Sequence, residues 1–409
     1  LGRLEYRPKK SRSLFGLDWV NFFLIDPQTG IGSFLPVYLA AHQWNEQLVG
    51  VALSAGSLSG ILSSAPAGAI VDSISSKRAL VALSTILLAL CSLWIALEPS
   101  FWSVLISQVL IGSVSTPIGP AICAISLGIV GRKQFDLRQG RNQMFNSAGK
   151  ILTAIVIGLM GYMISDRSVF FFVAFLAIPI LLSLSFINPA DINYQLARGA
   201  DKANGYKKNS FRHLFHPQFV IFLTAVVLFN FANAAIFPLL GQLLSKDHGN
   251  TSMLFISMCV VTTQLVITQI APWSGKKAGV WGRKPLLLIA FGVLPIRAFL
   301  YTLTHSIEAL IPIQVLDGIS AGIFSVVSVL MIADLTKGTG RFNLALGITG
   351  ASVGIGSALS QVIAGSIVKM RDILLVFFFL QWQESSLFSS SFSSCQKQKM
   401  LILQIRGFL

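Results

Sequence analysis

Charge is what this sequence most conspicuously lacks. Charged side chains make up 11% of its 409 residues, against roughly 25% in soluble globular domains. Hydrophobic residues make up 54%, and the mean hydropathy is +0.72. A deficit of that size means that most helical surface never meets water, which excludes an ordinary soluble fold. Cysteine is sparse as well. Cys91, Cys123, Cys259 and Cys395 are scattered without paired spacing, so neither a disulfide framework nor a thiolate metal site is expected. The five histidines (His42, His213, His216, His248 and His305) lie in expected loops or near span ends. No His-Glu-x-x-His, paired-histidine or Cys-His arrangement is present, so the sequence points to no metal, no cofactor and no enzyme. The charge that remains is lopsided, with 31 Lys and Arg against 16 Asp and Glu and a net charge of +15. On so apolar a chain, that balance suits short loops beside anionic lipid headgroups and gives no reason to expect nucleic acid.

Long apolar runs fill the space that charge leaves. A bilayer crossing takes about 20 mostly apolar residues, because only a helix satisfies its own backbone in hydrocarbon. Such runs fall at 14–40, 47–71, 79–98, 101–130, 143–164 and 169–188, then at 217–243, 252–274, 285–304, 309–334 and 344–368. The fold class is therefore all-α and polytopic, with six spans before a polar stretch and five after it. No cleavable signal peptide is visible: the first apolar run is too long and polar-studded, and it follows a basic arm. Phe-rich runs such as Phe170-Phe171-Phe172 are expected to face lipid.

Charge placement supports this map. The arm at 1–13 carries Arg3, Arg7, Lys9, Lys10 and Arg12. Alternate loops then hold Lys77 and Arg78; Arg132, Lys133, Arg138 and Arg141; Arg198, Lys202, Lys207, Lys208 and Arg212; Lys276, Lys277, Arg283 and Lys284; and Lys337 and Arg341. The intervening loops hold Arg167, Lys246, Lys369 and Arg371. Under the positive-inside rule the N-terminus is cytoplasmic, in a plasma membrane of the bacterial inner-membrane type.

The chain also repeats itself. Gln108-Val109-Leu110-Ile111-Gly112 opens the fourth span and Gln314-Val315-Leu316-Asp317-Gly318 opens the tenth, 206 residues on. Gly68 through Arg78 matches Gly275 through Pro285 at an offset of 207, and Gly140-Arg141 matches Gly340-Arg341 at 200. Each pairs span n with span n+6, as expected of two six-helix halves.

The loop after the second span reads Gly68-Ala69-Ile70-Val71-Asp72-Ser73-Ile74-Ser75-Ser76-Lys77-Arg78. Its second copy starts on Gly275 and ends in Gly282, Arg283, Lys284 and Pro285 where the first has Ser75, Ser76, Lys77 and Arg78, with Gly279 in place of Asp72. With these motifs the chain resembles the major facilitator superfamily over roughly 14–370. The resemblance implies halves at 14–188 and 217–371 joined by a cytoplasmic linker, 189–216, and a latch between them made by Asp72 and Arg78. It also implies a central cavity lined by spans 1, 4, 7 and 10. The markers of drug–proton antiport in that family are missing: Gln108 stands where an arginine would, and span 5 has no proline.

Ionisable groups at mid-bilayer cost roughly 2.5–3.5 kcal/mol on insertion scales, so each needs a reason. Asp18, Asn21, Asp26, Gln28 and Thr29 give span 1 a broad polar side, and Asp26 and Gln28 bracket Pro27. Asn230 and Asn233, three apart in span 7, share a face. Asp317 lies in span 10, and Ser113, Ser115 and Thr116 in span 4. Lys150 in span 5 either neutralises Asp26, binds an anionic substrate, or snorkels to headgroups. Arg297, in a span that the family places at the periphery, reads as structural.

After Arg371 the pattern breaks. Asp372 to Leu380 is too short to span, and a serine-crowded stretch and a basic tail follow. Residues 372–409 read as a shifted reading frame or an altered terminus where a twelfth span would fall. The expectation is a monomeric secondary transporter that moves a small solute by alternating access, coupled to protons, with Asp26, Gln28, Asn21, Asn230, Asn233, Asp317 and Lys150 at its site. A transporter-shaped receptor or a non-functional remnant is the alternative that the tail leaves open.

Overall fold

The computed structural model of the chain describes residues 8–24, 35–163, 166–200, 214–235, 252–303 and 307–368. Among these residues there are helices and connecting turns, and no strand. In chain order the first helices are α1 (Pro8–Phe23), α2 (Leu35–Ala41), α3 (Glu46–Ser73), α4 (Lys77–Leu97), α5 (Phe101–Ser115), α6 (Ile118–Val130) and α7 (Arg132–Met163). Then come α8 (Asp166–Phe175), α9 (Ala177–Ser185), a 3-10 turn (Pro189–Asp191), α10 (Tyr194–Ala197), α11 (Pro217–Asn233), α12 (Ser252–Trp281), α13 (Arg283–Leu303), α14 (Ile307–Leu335) and α15 (Phe342–Val368). Each of the eleven expected spans carries helix over its described residues. Seven helical stretches among the described residues are both long and apolar enough to cross a bilayer. The expected twelfth span and the tail 372–409 lie outside the described residues.

Local sequence explains where these helices start and stop. The side chain of Asn45 accepts the N–H of Gln47 at 3.0 Å to cap α3, and Ser100 accepts that of Ser103 at 3.4 Å to cap α5. Both satisfy donors that a helix start leaves orphaned. Gly131 (φ 71°) separates α6 from α7, and Gly282 (φ 85°) separates α12 from α13. Both lie in the left-handed region where a side chain is strained, so the chain reverses there on glycine.

The inter-half packing is a pair of matching seams. On one, α3 packs along α15; on the other, α12 packs along α7. Glycine sets the spacing on both. A Cβ at Gly347 would lie 2.2 Å from the carbonyl oxygen of Ser64, and one at Gly140 would lie 2.6 Å from that of Ala271. A Cβ at Gly68 would meet the Asn343 carbonyl at 2.2 Å, and one at Gly275 the Asp136 carbonyl at 2.5 Å. Gly68 and Gly275, Ser64 and Ala271, and Gly140 and Gly347 are each 207 positions apart, so the seams are related by the sequence repeat. This corrects one expected match. The spatial counterpart of Gly140 is Gly347 and not Gly340, which sits in a turn (φ 69°) with nothing close to it.

Other boundaries moved for identifiable reasons. The expected loop carrying Arg132, Lys133, Arg138 and Arg141 is the first part of α7, which starts at Arg132 and not at 143. Phe135, Arg138, Gln139 and Asn142 bury one face of it, so paired charges allow the helix to continue past the apolar stretch. Phe170 is fully buried against Tyr38, with ring centroids 4.7 Å apart, while Phe171 is exposed. The Phe run therefore divides between core and surface. Residues 189–200 form a strap: the carbonyls of Ala197, Arg198 and Gly199 accept Asn343 Nδ2 (3.0 Å), Phe342 N (3.2 Å) and Gly338 N (2.8 Å).

Candidate functional site

Two latches close the seams at the lysine- and arginine-rich end. Asp72, one residue before the end of α3, accepts the backbone N–H of Leu344 at 2.8 Å and that of Asn343 at 3.2 Å, together with Asn343 Nδ2 at 2.8 Å. It caps the first turn of α15, where free N–H groups and the helix dipole favour a carboxylate. Lys77 is buried and turns back, its Nζ donating to the carbonyls of Val71 and Ile74 at the end of α3. Arg78 is half-buried beside it, and its Nε meets no hydrogen-bond partner.

The second latch has the opposite polarity. Arg283 donates to both oxygens of Asp136 on α7, at 2.7 and 2.9 Å, and its Nε donates to Asp334 at 2.9 Å. A Cβ at Gly279 would lie 3.6 Å from Asp136 Oδ2. The acid missing from position 279 is thus supplied from the other half. Sequence reading missed Asp136, although it is the one acid in a basic stretch. Lys284 and Pro285 follow Arg283 in the first turn of α13, where proline loses nothing for want of an N–H. Arg132 adds a third tie, donating to Ala333 O at 3.0 Å and Gly199 O at 2.8 Å.

Inside the first half, α1 and α7 share a polar row. Asp18 is buried between Arg138 (2.8 Å) and Arg141 (2.7 Å). Asn146, one turn beyond Asn142 on α7, donates to the carbonyls of Asn21 and Leu24 at 3.3 and 3.2 Å, satisfying acceptors where α1 ends. Asn21 itself donates to Leu17 O at 2.7 Å. Gly149 brings the helices together, since a Cβ there would clash with the carbonyl of Phe22. Lys150 follows, half-buried and one turn past Asn146. Asp26 and Gln28 lie outside the described residues.

In the second half the structure separates two residues expected to act together. Asn230 donates to Val226 O at 2.9 Å and packs on Gly356 of α15. Asn233 accepts instead from Arg297 Nη2, and Arg297 Nη1 is paired with Asp317. Gln314 links this group to Tyr301 (2.9 Å) and Thr263 (3.3 Å). Asn233 and Asp317 are thus brought together by a cation assigned, from sequence, only a structural part. An apolar cleft lined by Phe23, Leu24, Thr85, Leu88, Ile118 and Ile180 carries no charge and offers a polar solute nothing to bind.

Comparison with known proteins agrees with this architecture. The sequence profile of the Major Facilitator Superfamily matches residues 19–294 and 231–380. An uncharacterized MFS-type transporter of Mycobacterium tuberculosis is 38% identical over 366 residues, covering 88% of this chain and 87% of the relative. Among solved structures, the proton:xylose symporter XylE aligns with a TM-score of 0.71 at 12% identity, covering 92% of this chain and 93% of that one. The human organic anion transporter MFSD10 aligns at 0.66 and 17%, covering 94% and 100%. Paired glycine seams, repeat-related latches, matching fold and matching sequence lead to one conclusion: this chain is a multi-pass membrane protein that belongs to the Major Facilitator Superfamily of transporters.

Proposed function

We propose that the chain moves a small solute across a plasma membrane by alternating access, coupled to protons. The halves 14–188 and 217–371 rock about the two seams, and the N-terminus and the basic end face the cytoplasm. The observation that carries this reading is that inter-half bonds by Asp72, Asp136 and Arg132 gather at the basic end. A structure held shut there suits a state whose other end admits solute. Opening requires those bonds to break together, which gives a two-state switch.

Asp26 is the proposed coupling group, and Gln28, Asn21, Lys150, Asn230, Asn233 and Asp317 complete the proposed site. Three features support this: the α1–α7 row of Asn21, Asn146 and Gly149; the half-buried Lys150 that extends it; and the position of Asp26 two residues beyond Leu24. A carboxylate that takes up a proton at mid-membrane changes the net charge that the moving half carries. Uptake into proteoliposomes under an imposed proton gradient tests the assignment. Asp26→Asn is expected to keep exchange but lose gradient-driven accumulation; unchanged accumulation with an unchanged pH response would remove Asp26 from this role.

A further inference from the structure

The internal repeat offers a control that a single helix bundle lacks. Helices α4 and α13 start 206 positions apart, at Lys77 and Arg283, and end 206 apart, at Leu97 and Leu303. Gln108 and Gln314 keep the same offset and both are buried. A Cβ at Gly112 would press on the carbonyl of Gly56 (2.2 Å), and one at Gly318 on that of Thr263 (2.8 Å), so these neighbourhoods correspond in space. At that offset Cys91, Ile95 and Ile111 correspond to Arg297, Tyr301 and Asp317. The first trio is buried in one apolar cluster. The second trio is an ion pair with a tyrosine beside it, the Arg297 guanidinium lying 6.0 Å from the Tyr301 ring centroid. The first half therefore packs this position without charge, where the second half holds an ion pair.

From this contrast we infer that Arg297 is the binding group for a small organic monoanion, which is carried together with a proton taken up by Asp317, in addition to the one assigned to Asp26. This rests on the transporter reading above and names its substrate class. Arg297 is 1% exposed, and its Nε has no hydrogen-bond partner. The Asp317 side chain is 16% exposed and that of Arg297 is 2% exposed, so Asp317 covers the guanidinium and an anion reaches it when the pair parts. Around the pair stand Asn233 from α11, Thr263 from α12, Tyr301 from α13 and Gln314 from α14, all uncharged polar groups.

Charge balance supplies the coupling. With Arg297 and Asp317 paired, the site is neutral. A proton from water on a carboxylate oxygen of Asp317 leaves Arg297 without its counter-charge and the site at +1. A monoanion bound to Arg297 then restores neutrality. A proton alone or an anion alone leaves net charge at membrane depth, which is costly. Both load together or neither does.

The test uses the purified full chain in proteoliposomes under a proton gradient. It is offered benzenesulfonate and gluconate as impermeant monoanions, glucose as a neutral solute and tetraethylammonium as a cation. Wild type is expected to accumulate a monoanion. Asp317→Asn should still exchange it but lose gradient-driven accumulation at least ten-fold. The double variant Arg297→Cys/Asp317→Ile, which copies the first half, should keep a cooperative thermal unfolding transition and accumulate none. If that double variant accumulates the monoanion as wild type does, the inference is overturned. If wild type moves only glucose or tetraethylammonium, the anion site is wrong while the transporter reading stands. If it moves none of the four, both fall.

Discussion

Asp72 on α3 and Leu344 on α15 are 272 positions apart in sequence, yet the carboxylate accepts the Leu344 backbone N–H at 2.8 Å. The bond ties the end of one half's second span to the start of the other half's last described span. Replacing Asp72 with Asn keeps the size but removes the charge that answers the helix dipole. A charge at a helix N-terminus is worth about 0.3–1 kcal/mol, and up to about 2 where it is partly buried. Asp72→Asn is expected to slow solute turnover several-fold while lowering the unfolding temperature only slightly, measured by transport and by scanning fluorimetry on one preparation.

The pair Asp136–Arg283 lends itself to a charge swap. Asp136→Asn and Arg283→Gln should each weaken the closed state, and Asp136→Arg with Arg283→Asp should recover part of the loss. Recovery is expected to be incomplete because Arg283 also holds Asp334 at 2.9 Å, and a new aspartate at 283 would face that acid. A double-mutant cycle on transport rate measures the coupling. Simple additivity of the two single changes would show that the pair does not act as a unit.

Glycine substitutions separate seam positions from ordinary ones. Ala is favoured over Gly in a helix by roughly 1 kcal/mol, so exposed glycines should gain from the exchange. Gly50 has nothing within 4 Å of an added Cβ, whereas at Gly347 that atom would sit 2.2 Å from Ser64 O. Gly50→Ala is expected to be neutral or mildly stabilising. Gly347→Ala should lower the unfolding temperature and the transport rate together, because the seam must widen to admit the methyl group.

Two arginines share Asp18, but their surroundings differ. The Arg138 side chain is 5% exposed and that of Arg141 is 56% exposed. Removing a partner from a buried pair typically costs about 3–5 kcal/mol, because a charge is left uncompensated. Water screens the exposed arm, and Arg141 remains available to Asp18 when Arg138 is lost, so the cost should fall toward the lower end. Arg138→Gln is still expected to destabilise the protein clearly more than Arg141→Gln. Thermal unfolding of the two variants in one detergent checks the order.

The sequence was legible where physics acts locally. Twenty-residue apolar runs, loop cations and the Gln-Val-Leu repeat required only composition and spacing, and they led to the helices and the two-half plan. Asp72 was legible because a glycine, an acid and a basic pair follow one another there in a recognisable order. Asp136 was not, because its partner Arg283 lies 147 positions away and nothing local marks which acid in a basic stretch is used. Arg297 was read as structural from its peripheral span, since the contact with Asn233 depends on how α11 leans on α13. The register of Gly140 went astray because Gly340-Arg341 repeats its dipeptide, while only the packing of α3 on α15 shows that Gly347 occupies the equivalent place.

Alternating access about the two seams is most directly tested by a distance across the latched end. Spin labels at Ser76→Cys and Lys337→Cys, both exposed, report on the two halves by double electron–electron resonance. In the protein with intact latches a short, narrow distance distribution is expected. Asp72→Asn combined with Asp136→Asn should add a longer population and shift weight into it, as should a change in the pH of the solution around the protein in a nanodisc. One unchanged distribution under every condition, in a protein that still transports, would contradict the rocking of the halves.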